Sequence, residues 1–87
     1  MSINEARRKI DDIDKKMIKL FEARMQAVND VVKYKKEHNL AIFDEKREKE
    51  IIKNNLKLVD ISLKDYYLEF FEKMLEISKK YQEANYE

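Results

Sequence analysis

The chain has 87 residues, enough for one small domain, and 43% of them are charged, yet its formal net charge is only +1. Charges of both signs interleave, which describes solvated helix faces and not a nucleic-acid patch, and the absence of cysteine excludes disulfides, a thiol nucleophile and thiolate metal sites. Glycine and proline are also absent, which excludes Gly-rich phosphate loops and favours an all-helical chain; no apolar run reaches the ~18 residues of a membrane span and no signal-peptide core opens the chain, so a cytoplasmic protein is expected.

The first helix is expected from about Asn4 to Glu37, with Ser2 or Asn4 as its cap and Glu5 in its first turn. Its apolar residues Ile3, Ala6, Ile10, Ile13, Met17, Leu20, Ala27, Val31 and Tyr34 step by 3 and 4, a sustained heptad seam. At 1.5 Å per residue such a helix is roughly 50 Å long. The segment from His38 to Phe43 reads as a connection with an apolar plug, and His38, the sole histidine, receives no role. Asp44 is the expected cap of a second helix, about 45–58, carrying Ile51, Ile52 and Leu56. Asp60-Ile61-Ser62 is the next break, and Ser62-Leu63-Lys64-Asp65 approximates a capping box for a third helix, about 63–84. That helix places Tyr67, Phe70, Phe71, Met74, Ile77 and Tyr81 on its apolar side. The first helix overhangs any compact three-helix bundle of this size, so its seam is expected to pair with its own copy in a twofold homodimer. An elongated monomer or an antiparallel coiled coil without a pocket are the alternatives.

Polar residues stand in apolar places on all three helices. The chain has fifteen lysines and four arginines, and one arginine, Arg24, occupies the seam between Leu20 and Ala27. Its neighbours at i±3 and i±4 are Leu20, Phe21, Ala27 and Val28, so a partner anion has to come from another helix or a ligand. Lys35 lies eleven residues on, almost three whole turns, and also lacks a carboxylate neighbour. Ser78 and Gln82, at i and i+4, continue the aromatic stripe of the third helix. Asp44, Arg47 and Glu48 fill the first turn of the second helix, at its positive end. Arg8, with Glu5, Asp11 and Asp12 in reach, reads as a surface ion-pair residue. Each polar residue alone reads as register control, core edge or solvated surface. Together they describe a small cationic, hydrogen-bonding cavity within a helical bundle. No catalytic triad and no histidine–carboxylate cluster with metal-ligand spacing is present, so the inventory suits binding a small dianion through fixed donors, without metal or cofactor.

From about Glu5 to Ala84 the chain resembles the all-helical AroQ-type chorismate mutases, on the ordered set Arg7, Arg24, Lys35, Asp44, Arg47, Glu48, Ser78 and Gln82. The resemblance implies an intertwined homodimer with two sites, each mostly within one subunit, and Arg7 reaching in from the other chain. It implies the Claisen rearrangement of chorismate to prephenate, on the route to phenylalanine and tyrosine. On it, Lys35 and Gln82 are the catalytic donors to the ether oxygen. Arg24 with Ser78 binds one carboxylate and Arg7 in trans the other. Glu48 accepts the ring hydroxyl, helped by the backbone near Asp44, and Arg47 orients Glu48. The chain departs from the family only in lacking glycine or proline at its helix connections and in its short link between the second and third helices.

Three other readings compete. An isochorismate–pyruvate lyase of the same fold uses similar cations, and assaying both substrates separates the two enzymes. A non-catalytic dimerisation or regulatory module would carry a vestigial pocket, against which the full polar set argues. A helical packing protein would bind no ligand at all.

Overall fold

The computed structural model describes residues 1–86. They form three helices: α1 (Ile3–Glu37), α2 (Glu45–Leu56) and α3 (Lys64–Tyr86), with a single 3₁₀ turn, Ile61–Leu63, leading into α3. Ser2, and not Asn4, caps α1: its Oγ accepts from the Glu5 N–H at 3.2 Å. The end of α1 explains how the chain turns without glycine. Asn39 adopts φ 55°, the left-handed conformation that asparagine tolerates better than most residues. The Leu40 N–H then bonds the Lys35 carbonyl at 2.8 Å and the Asn39 N–H bonds the Lys36 carbonyl at 3.4 Å. This is a Schellman closure, with asparagine in the usual glycine position. His38 closes the helix, stacked on Tyr34 with ring centroids 3.9 Å apart.

Asp44 caps α2, its carboxylate accepting from the Arg47 N–H at 3.1 Å. The helix stops at Leu56, two residues short of the expected Leu58, because the last turn tightens: Leu58 bonds Asn55 and Val59 bonds Leu56, three residues back. The expected capping box at Ser62 and Asp65 is not formed. Asp60 takes the capping role, accepting from both the backbone N–H and the hydroxyl of Ser62. The Ser62 N–H that the box would give to Asp65 goes instead to Asp60, an acceptor only two residues upstream in an Asx turn. The Ser62 hydroxyl, and then its N–H, hold the Asp60 carboxyl below its ordinary range.

The helices form an elongated body of 54 × 25 × 16 Å, in which α3 packs against both α1 and α2. The buried core is small: Val32, Phe71 and Leu75, with Ser78 beside them. α1 meets α3 along Arg24, Val28, Val32 and Lys35, spaced 4, 4 and 3. The expected seam through Ala27, Val31 and Tyr34 stays exposed in the single chain, so α1 carries two stripes that share Arg24. The first half of the seam is also bare: Ile10 is 55% exposed, Met17 46% and Leu20 69%. Of Met74 and Leu75, the two residues able to continue the stripe of α3 below Phe71, Leu75 is buried and Met74 half-buried.

Candidate active site

Ser78 and Gln82 stand one turn apart on α3, and Arg24 and Lys35 about three turns apart on α1. Packing of the two helices joins them in two pairs. Arg24 Nη1 donates to Ser78 Oγ at 2.5 Å, and Lys35 Nζ donates to Gln82 Oε1 at 3.2 Å. Lys35 also donates to the Ile42 carbonyl, which the turn at Asn39 folds back over the end of α1. The Leu40 carbonyl in the same connection accepts from the Tyr86 hydroxyl at 2.9 Å, which ties the loop to the end of α3. The Arg24 guanidinium lies 6.0 Å from the ring centroid of the buried Phe71. Among the described residues no carboxylate lies within ion-pair distance of Arg24 or Lys35; the ion pairs formed are exposed ones, Lys49–Glu45 on α2, and Lys73–Glu76 and Lys80–Glu76 on α3.

These two pairs line a cavity of about 310 Å³. The first turn of α2 supplies Asp44, Arg47 and Glu48 to the same cavity, and Ile42, Phe43 and Ile51 supply apolar wall. Seven of the eight predicted site residues therefore converge: Arg24, Lys35, Asp44, Arg47, Glu48, Ser78 and Gln82. The eighth, Arg7, does not line it. It sits seventeen residues before Arg24 on the same helix, about 25 Å away along the axis.

The donor chemistry of the cavity follows from these bonds. Arg24 can only donate, so Ser78 Oγ accepts from it and keeps its own O–H for a ligand. Lys35 likewise only donates, so the Gln82 oxygen faces it and the amide N–H groups are left free. Four cationic side chains line the cavity against two carboxylates, Asp44 and Glu48. The excess of two positive charges complements a small dianion.

Some expectations are corrected here. Arg47 forms no ion pair with Glu48; both line the cavity separately. Asp44 caps α2 as expected, which commits one of its carboxylate oxygens to the Arg47 N–H. Arg8 is exposed and pairs with none of its acidic neighbours. A fourth cation missed by sequence reasoning, Lys79, lines the cavity with its ammonium 4.5 Å from the centroid of the Phe43 ring. No local pattern singles it out, because Glu76 at i−3 and Glu83 at i+4 give it the look of a solvated lysine. On the far side of the Arg24–Ser78 pair lies a second, apolar hollow of about 170 Å³, walled by Phe21, Met25, Phe70, Met74 and Ile77.

No helix is long and apolar enough to cross a membrane, among the described residues. Comparison with curated proteins and comparison with solved structures each returned no match. The family model described as chorismate mutase type II matches residues 6–83, a span that contains all three helices' packing faces and every residue of the polar set. The chain belongs to the chorismate mutase type II family.

Proposed function

We propose that this protein rearranges chorismate to prephenate in a site completed by a second copy of the chain. The observation that carries the reading is the pair of unpaired cations, Arg24 and Lys35, facing one cavity through neutral partners whose own donors stay free. A cation without a carboxylate in a partly buried site is costly unless a ligand supplies the anion. Chorismate is a dicarboxylate, and family membership makes it the substrate to test first.

The chemistry asked of the site is modest. In this rearrangement one ether C–O bond breaks as one C–C bond forms, with no proton transfer and no nucleophile. The enzyme holds the enolpyruvyl arm over the ring and stabilises the charge that grows on the ether oxygen. Arg24 and the Ser78 hydroxyl bind one carboxylate, by the planar fork and a short donor. This restricts the flexible arm to its reactive geometry. The Lys35 ammonium and the Gln82 amide donate to the ether oxygen, more strongly as charge accumulates there. Glu48 accepts the hydrogen bond of the ring hydroxyl at the start of α2, with the backbone near Asp44 assisting. Arg47 adds positive potential from the same turn.

Arg7 of the partner subunit takes the other carboxylate. The distance from Arg7 to Arg24 along α1 supports supply in trans, since a rigid helix holds this chain's own Arg7 away from its own cavity. The bare seam of Ile10, Met17 and Leu20 and the apolar hollow beside Arg24 support burial against another copy. The intertwined dimer thus both buries α1 and completes the site.

The test is an ultraviolet assay of chorismate disappearance with the product identified, run beside isochorismate. Prephenate from chorismate supports the mutase. Pyruvate released from isochorismate, with chorismate untouched, assigns the lyase instead.

A further inference from the structure

Lys79 follows Ser78 on α3 and has two carboxylates within helical reach, Glu76 at i−3 and Glu83 at i+4. It pairs with neither. Glu76 is engaged by Lys73 at 3.3 Å and by Lys80 at 3.5 Å, and the Lys79 ammonium turns the other way, onto the face of Phe43 4.5 Å from its centroid. Phe43 is half-exposed and Ser78 is buried, so Phe43 and Lys79 mark the mouth of the cavity while Arg24 and Ser78 mark its floor. One chain therefore presents cations at both ends of the same cavity.

We infer that Lys79 is a further substrate-binding residue, which takes a carboxylate at the mouth of the cavity while Arg24 holds the other at the floor. The inference deepens the proposed function and rests on it for the identity of the substrate. A cation over an exposed ring is held more weakly than one hydrogen-bonded to a carboxylate, so an arriving dianion draws the ammonium off Phe43 at small cost. The ring keeps the flexible lysine stem beside the mouth and away from Glu83. Lys79 shares the outer carboxylate with Arg7 of the partner subunit and recruits it before the arginine closes on it. Its contact is with a carboxylate that keeps its charge throughout the reaction, so it contributes equally to ground and transition states. Its loss raises KM and leaves kcat nearly unchanged, the opposite of the pattern expected for Lys35.

The experiment is a calorimetric titration of wild type, Lys79→Met, Lys79→Arg and Lys80→Met with prephenate as the dicarboxylate probe and benzoate as the monocarboxylate probe. Lys80 pairs with Glu76 on the solvated side, so its variant makes the same change in net charge outside the cavity. Lys79→Met weakens prephenate binding about tenfold, the loss of one charge-assisted hydrogen bond, and leaves benzoate unchanged. Lys79→Arg recovers most of the loss, and Lys80→Met shows none. Prephenate affinity of Lys79→Met equal to that of Lys80→Met overturns the inference, as does a wild type that binds no prephenate. Chorismate turnover, measured in parallel, keeps the two claims apart. Wild-type turnover with an unchanged KM in Lys79→Met removes Lys79 and keeps the mutase. A wild type that binds prephenate through Lys79 but leaves chorismate unreacted keeps the subsite and removes the mutase.

Discussion

Lys35 and Gln82 meet across the α1–α3 interface, the ammonium donating to the amide oxygen at 3.2 Å while the Ile42 carbonyl accepts a second bond from it. The arrangement fixes the lysine from two sides and leaves the amide N–H groups of Gln82, which lines the cavity, without a partner among the described residues. Both donors are thereby in place before a ligand arrives, the condition under which fixed dipoles stabilise developing charge without reorganisation.

Lys35→Ala lowers kcat far more than it weakens binding, by about 10²–10³ for loss of one such donor. Gln82→Ala acts in the same direction. Steady-state kinetics on chorismate check both, and a near-normal kcat in Lys35→Ala rejects the ether-oxygen assignment.

Asn39 holds the connection that carries Ile42 back to Lys35. Asn39→Val places a β-branched residue at φ 55° and costs about 1–2 kcal/mol of stability, whereas Asn39→Gly is neutral or slightly stabilising. Thermal melts at one protein concentration decide this. Equal destabilisation by both variants would remove the left-handed turn from the account.

The exposed seam of α1 predicts a homodimer, so light scattering at micromolar concentration gives twice the 10.6 kDa chain mass. A clean monomer that still turns over chorismate contradicts the shared site.

Arg8 is exposed and unpaired, and Arg8→Ala is nearly silent in melting temperature and in rate, since even a formed surface ion pair contributes only about 0–1 kcal/mol. A large effect on kcat/KM, measured in the same assay, would mean that Arg8 and not Arg7 reaches the partner's cavity.

Much of this site was legible in the sequence, for identifiable physical reasons. Eleven residues is close to three helical turns, so Arg24 and Lys35 had to share a face, and the lack of carboxylate neighbours marked both as cations awaiting a partner. Ser78 and Gln82 followed from the same arithmetic on α3. The row Val28–Val32 between Arg24 and Lys35, by which α1 meets α3, went unread beside the equally regular seam of Ala27, Val31 and Tyr34, which stays exposed in the single chain. Lys79 was hidden because Glu76 and Glu83 make it look like an ordinary solvated lysine. Its true surroundings depend on the path of the 39–43 connection, which a left-handed asparagine sets and no local pattern announces.

The central claim is that one chain's Arg24 and another chain's Arg7 clamp the same substrate, and mixing two inactive variants tests it directly. Arg7→Ala and Arg24→Ala are each inactive as homodimers. In a mixed dimer one site receives both intact arginines and the other receives both lesions. Co-refolding equal amounts makes about half the dimers mixed, each with one good site of two, so roughly a quarter of wild-type chorismate turnover returns. If both arginines served the same chain's cavity, every site would carry one lesion; turnover that stays at the level of the separate variants would contradict the account.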